Sequence, residues 1–272
     1  NTGSTWDSGA RPGSSDDVII ANGHTVTLVQ DENANSLKSE SGSTIVGGGF
    51  TITISGQALG SAANIDGAVD AGSALNLTIT TAAATVLDVY PSSGKITNLT
   101  INHASCVATL GAFTPMLGNL TITAGEVDTD SSNFALTVTG DVDISGTLTC
   151  NASAVSFGSL KCQGSSTLNA TSGTTTITSE NSSGQAIVMN NTMTFNNNDG
   201  TFLITTPAAT NIYFKSDNAL HHLTINHSSA DIVLAGNPDD LKCEGDLTIT
   251  AGILRSTTSG ATLEVDGDAS VT

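Results

Sequence analysis

The recurring unit along the chain is four residues long and alternates strictly between an aliphatic and a polar side chain: Leu-Thr-Ile-Thr, Leu-Thr-Ile-Asn, Leu-Thr-Val-Thr, Val-Asp-Ile-Ser. Period-two alternation places every second side chain on the same side of an extended backbone, so each unit predicts a short strand with one buried face. Leu77 and Ile79, Leu99 and Ile101, Leu120 and Ile122, Leu223 and Ile225, and Leu247 and Ile249 are the expected inward pairs. The threonines between them are expected at the solvent, where β-branching still favours the extended chain. Gly, Asn, Asp and Ser cluster between units and supply turns. No segment carries helical periodicity.

The units recur inside longer phrases. Leu-Thr-Ile-Asn-His-Ala-Ser at 99–105 returns as Leu-Thr-Ile-Asn-His-Ser-Ser at 223–229, and 77–85 matches 202–210. Leu-Thr-Ile-Thr-Ala-Gly at 120–125 is identical to 247–252, and Leu-Thr-Val-Thr-Gly-Asp at 136–141 is echoed by Leu-Glu-Val-Asp-Gly-Asp at 263–268. A block spanning 77–144 is thus written again over 202–271. Short strands repeated in this way bury their apolar sides only by stacking on one another. Leading strands start at 77, 99, 120 and 136, then at 223, 247 and 263, with weaker strands at 126–129 and 147–150. This spacing predicts an all-β right-handed parallel β-helix with about a dozen turns, stacked about 4.8 Å apart. Tandem β-sandwiches are the alternative. They call for longer strands, a repeat near ~100 residues, and more aromatic core than the 4% present. The second copy stops at Val271-Thr272 where the first reads on, so the natural polypeptide is expected to continue beyond Thr272.

The opening residues 1–30 differ from the body at 31–272. They hold the single Trp, Trp6, then Pro12, Asp16-Asp17 and an Asn22-Gly23 turn between the apolar runs of 18–28. A solenoid has open ends with unpaired strand edges, and this segment is expected to cap one of them or to form the first turn. The pattern Trp…Pro…Asp-Asp-Val-Ile-Ile-x-Asn-Gly-His-Thr-Val-Thr resembles the start of repetitive β-solenoid proteins of tailed-phage virions (fibres, spikes and decoration proteins) and of bacterial adhesins. The body phrases Asn-Leu-Thr-Ile-Asn-His and Gly-Asn-Leu-Thr-Ile-Thr-Ala-Gly are similar to those found there. The resemblance implies display, attachment or mechanical support, and no catalytic motif.

Composition narrows the partners. With 7 basic against 25 acidic residues, the net charge is −18. That balance opposes contact with nucleic acid, which rests on Lys and Arg against phosphate, and docking on anionic lipid. No stretch reaches the roughly 20 apolar residues of a membrane span. Cys106, Cys150, Cys162 and Cys243 are too irregular for a disulfide framework or a zinc site and read as buried free thiols. Cys106 aligns with Ala230, and Cys162 and Cys243 share Leu-Lys-Cys-x-Gly, which suggests one repeated position.

β-Helices also host glycan-cleaving enzymes, in which paired carboxylates carry the chemistry. A glycosidase holds two across a cleft. The pairs Asp16/Asp17, Asp128/Asp130, Asp141/Asp143, Asp239/Asp240 and Asp266/Asp268 fall at turn positions, and Asp141 aligns with Asp268. The basic residues Arg11, Lys38, Lys95, Lys161, Lys215, Lys242 and Arg255 are scattered. His103 and His227 are repeat-equivalent, which points to turns. His221-His222 could serve a metal together with His227 only if strand alternation did not point the neighbours apart. Calcium in the Asp-rich turns is the one cofactor left open, and no catalytic, cofactor or metal residue is assigned. The expected function is a non-enzymatic structural and display rod of a virion surface, with other virion proteins or a host-surface glycan or protein as partners and self-association open. A bacterial surface adhesin or fibre is the alternative, and a β-helical glycan-cleaving enzyme the third reading.

Overall fold

A computed structural model of the chain describes residues 6–7, 9–58, 60–111, 116–190, 192–214, 218–235, 240–256 and 261–272. These residues form strands and turns, with no helix among them, and so no helix long and apolar enough to cross a membrane. The chain divides into two compact units, Asn1–Asp130 and Ser131–Thr272. Each is a parallel β-solenoid, and together they carry about 11 turns.

In the first unit each turn visits three faces. The first turn supplies Asp17–Ile20, Thr25–Thr27 and Glu32–Ala34. Ser36–Ser39, Thr44–Val46 and Thr51–Ile54 lie parallel to them in the second turn. Ser61–Ile65, Ala68–Val69 and Asn76–Ile79 follow in the third. Above these, Ile96–Leu110 and Met116–Asp128 each run from the third face to the first within one long, bent strand. The bend in the former lies between Asn102 and Val107, where the register shifts. Among the described residues the strands pair in parallel, and the one antiparallel bridge, an isolated one, joins Ala58 and Ser61. Greek-key sandwiches are built from antiparallel strands, so that alternative is excluded. The weak strand expected at 126–129 is the end of Met116–Asp128, and that at 147–150 is Thr147–Thr149.

Register explains why the sequence repeats its phrases. Ile54, Ile79, Ile101 and Ile122 stack in one column, with Leu77, Leu99 and Leu120 in the next. All seven are at most 2% exposed. Each fully buried aliphatic side chain contributes about 1.5–3 kcal/mol. Outside, Thr53, Thr78, Thr100 and Thr121 form a third column. The Asn that opens each Asn-Leu-Thr-Ile phrase has its own reason. Asn119 Nδ2 donates to Asn98 Oδ1 at 2.8 Å, and Asn98 Nδ2 donates to Asn76 Oδ1 at 2.7 Å. Stacked amides satisfy one another along the rise, which closes the hydrogen-bond accounting of half-buried side chains.

The second unit keeps the same order of faces. Its third face runs through 136–138, 155–157, Thr174–Ile177, Thr201–Ile204, 222–225, 247–249 and Ala269–Val271. Of the ten predicted inward residues, nine are buried, whereas Ile249 is only half-buried because the single strand Ala269–Val271 pairs beyond it. The repeat holds structurally for 99–105 against 223–229 and for 120–125 against 247–252. It slips at the end. Leu136 starts a third-face strand paired with Val155, whereas Leu263 starts Leu263–Val265 in the three-stranded sheet with Ala219–Leu220 and Leu241–Cys243. Asp141 and Asp268 are therefore not equivalent. An alternating Leu-x-Val phrase fits any face, so it encodes orientation but not which wall it occupies.

Candidate functional site

The histidines singled out by the sequence stand at corners of the solenoid. His103 and His227 occupy equivalent corners. In each, Nδ1 accepts the backbone N–H two residues on, from Ser105 and from Ser229, both at 3.1 Å. Gly125 lies over the first corner at φ 90° and Gly252 over the second at φ 106°. Cys106 and Ala230 are buried beneath them, at 1% and 2% exposure. The imidazoles hold the bend that turns one long strand from the third face to the first.

His221 and His222 do come together, contrary to the alternation argument: their ring centroids lie 4.3 Å apart, edge to face. His221 precedes the strand His222–Leu234 at a corner, where the rule of opposite sides does not apply. His222 Nδ1 accepts the Asp246 N–H at 2.8 Å, and His221 Nδ1 lies 3.6 Å from Asp199 Oδ1. His227 is not part of this group. Among the described residues no three His, Cys, Asp or Glu side chains converge as metal ligands.

The carboxylates bind their own turns or the adjacent one. Asp16 Oδ2 accepts the Gly13 N–H at 2.8 Å, and Asp128 Oδ1 accepts the Asp130 N–H at 2.8 Å. Asp141 Oδ1 accepts from Ser159 Oγ at 2.7 Å, Asp143 from Gln163, and Asp240 Oδ1 from the Thr262 N–H at 3.0 Å. Asp17 Oδ1 accepts from Asn35 and Ser36, both at 2.7 Å, and these bonds hold its carboxyl below the usual range. Asp266 Oδ2 lies 3.2 Å from Lys242 Nζ, and the Asp268 N–H donates to Asp246 Oδ1 at 2.9 Å. Asp239 and Lys215 lie outside the described residues.

Cations follow the same rule. Arg255 grips Asp231 with Nε and Nη2 at 2.6 and 3.0 Å, raising the guanidinium and lowering the carboxyl from their ordinary values. Lys242 pairs with Glu264, Lys161 with Asp143, Lys38 with Glu40 and Arg11 with Glu32. Apart from Arg11–Glu32, whose carboxylate is buried, these pairs are exposed and add little stability individually. Lys95 lines a shallow groove with Asp70, Ser73 and Thr97 at the turns of adjacent coils.

All four cysteines are free and buried, none more than 1% exposed. Cys162 and Cys243 do not share a position despite their common phrase: Cys162 pairs in register with Met189, and Cys243 with Leu220 and Val265 in the separate three-stranded sheet. Burial pushes the Cys106 thiol up and the Cys243 thiol up to about 11; Cys162 rises further through burial, with Asp143 and Cys150 adding to it. Thiolate is the reactive form. A thiol-reactive dye at pH 8 should therefore label none of the four in the folded chain and all of them after denaturation. Rapid labelling of the native chain would contradict this packing.

The structure also shows what the sequence reading missed. Glu32 occupies an inward slot of the alternating Glu32–Ala34 strand and is buried. The signal was present, since Ala34 and Glu32 share parity, but an acidic residue at that slot breaks the pattern. Trp6, Pro12 and Glu32 line a small, largely apolar cavity of about 30 Å³ at the first turn, together with Val18, Ile20 and Leu28. The chain matches no protein-family model, no curated protein and no solved structure, so the likeness to phage and adhesin solenoids stands on the sequence phrases alone.

Proposed function

We propose that the chain is a non-enzymatic structural and display element of a phage virion, as a fibre, spike or capsid decoration. The supporting observation is the in-register stacking of identical side chains, turn upon turn, on the outer wall as well as the inner. Asn76, Asn98 and Asn119 bond to one another, and Thr53, Thr78, Thr100 and Thr121 continue the column beside them. A wall whose polar groups serve the next turn resists bending and unfolding, and its repetition suits support rather than a single reactive centre. The acidic, basic-poor surface keeps like copies apart. The resemblance of the opening and body phrases supplies the virion setting, and other virion proteins or host-surface molecules are the proposed partners.

Immunogold labelling with antibody raised against the chain should mark virions in a phage-producing culture that expresses it. Label confined to bacterial surfaces would favour the adhesin reading instead. An enzyme is tested separately. Asn at 128 keeps the acceptor oxygen that holds the Asp130 N–H, so Asp128→Asn with Asp130→Asn should leave attachment intact. Glycan depolymerisation by the parent that is lost in this variant would overturn the structural reading. We also propose residues 1–30 as a cap. Their removal bares the edge of Ser36–Ser39 and should produce end-to-end association in sedimentation; a monodisperse truncated chain would remove that role.

A further inference from the structure

We propose that the cavity beneath Trp6 is a site for ordered water, which ties the indole N–H to the inner oxygen of the Glu32 carboxylate. This goes beyond the cap reading and is independent of where the protein is displayed. Two observations meet at the site. The cavity measures about 30 Å³, with walls that include Val26, Leu28, Leu37 and Ile45. Trp6 and Glu32 both line it, and each carries a polar atom, Trp6 Nε1 and Glu32 Oε1, that is shut off from solvent and has no hydrogen-bond partner among the described residues.

The Glu32 carboxylate is split between two environments. Oε2 is held from outside by Arg11 Nη2 at 2.5 Å, which fixes the orientation of the group. Oε1 is left inward on a side chain only 10% exposed. An indole nitrogen can only donate, and an ionised carboxylate can only accept. The two groups are complementary yet do not bond to each other, so a molecule between them that accepts from the indole and donates to the carboxylate completes both, and water does so. A water needs roughly 10–15 Å³ of such space, so the cavity takes about two. A third observation fits the assignment: of the other lining residues only Asn33 is polar, and its side chain is exposed on the outer side of the Glu32–Ala34 strand, so a water inside depends on Trp6 and Glu32.

The test uses the full chain. Crystals grown without alcohols, diffracting to about 1.5 Å or better, should show density for water within about 2.7–3.2 Å of Trp6 Nε1 and of Glu32 Oε1. An empty cavity, or either atom bonded to a protein group instead, overturns the site. A double-mutant cycle by urea unfolding gives an independent readout. Trp6→Phe and Glu32→Met should each lower the folding equilibrium constant about 5-fold, and the two together by less than the product of the single effects, because both break the same bridge. Strict additivity would overturn the bridge even if both variants fold. A failure of the truncation test alone would dispose of the cap and leave the water site standing.

Discussion

Ile225→Asp should abolish folding, or destabilise the chain by several kcal/mol, while Thr224→Asp one residue earlier should cost under about 1 kcal/mol. The contrast follows from the third face of the second unit. Ile225 is 0% exposed and sits in register between Ile204 and Ile249. Its replacement forfeits about 1.5–3 kcal/mol of apolar burial. It also places a carboxylate in the aliphatic column between Ile204 and Ile249, so the group must either protonate or remain charged at greater cost. Against a typical stability of about 5–15 kcal/mol, that loss decides whether the unit folds. Thr224 points the other way, half-exposed between Leu203 and Thr248. Water solvates a new carboxylate there, and only strand preference and a methyl contact are lost. Urea unfolding followed by circular dichroism measures both. Equal damage from the two would mean that this strand is buried on both sides.

That inward–outward distinction was fully legible in the sequence, because a period of two is a property of the extended backbone itself. Leu99, Ile101, Leu120 and Ile122 are buried as the alternation requires. Stacking was legible as well, since identical phrases can sit on one another with identical columns. What alternation could not convey was which wall a phrase occupies. Leu-Lys-Cys serves the first face at 160–162 and the three-stranded sheet at Leu241–Cys243, with the same in–out–in burial in both. Wall identity depends on how many residues each corner consumes. Corners vary: one turn advances from Val18 to Leu37, a step of 19, and the next from Leu37 to Ala63, a step of 26.

Side-chain chemistry at corners was harder still to foresee. The rule that strand neighbours diverge fails for His221 and His222 because the first stands outside the strand. The carboxylates chosen for their sequence pairing turned out to bond elsewhere. Asp141 and Asp143 serve Ser159 and Gln163, 18 and 20 residues away, since one turn of the solenoid brings those positions alongside. Proximity along the chain is a poor guide where the nearest neighbour in space is one coil on. Glu32 was missed for a related reason: its burial depends on Arg11 and on the indole of Trp6, both supplied by the irregular opening segment.

The corners therefore carry the second large expected effect. Gly125→Ala should cost about 2–6 kcal/mol, well beyond Gly23→Ala at about 1–2 kcal/mol, although both glycines have positive φ. Gly23, at φ 78°, has nothing within 4 Å of where a Cβ would stand, so alanine there meets only the strain of the left-handed backbone. Gly125, at φ 90°, would place its Cβ 2.5 Å from the His103 carbonyl oxygen and 2.7 Å from that of Cys106. Those are backbone atoms of the corner one turn below, and they cannot retreat without opening the bend that His103 holds through Ser105. The second copy offers an internal scale. Gly252, at φ 106°, would meet the His227 and Ala230 oxygens at 2.8 and 2.9 Å, so Gly252→Ala should fall between the other two. Urea midpoints for the three variants should rank in that order. If Gly125→Ala were no worse than Gly23→Ala, the corners would not be stacked at this distance, and the account of why Ala-Gly follows Leu-Thr-Ile-Thr in both copies would fail with it.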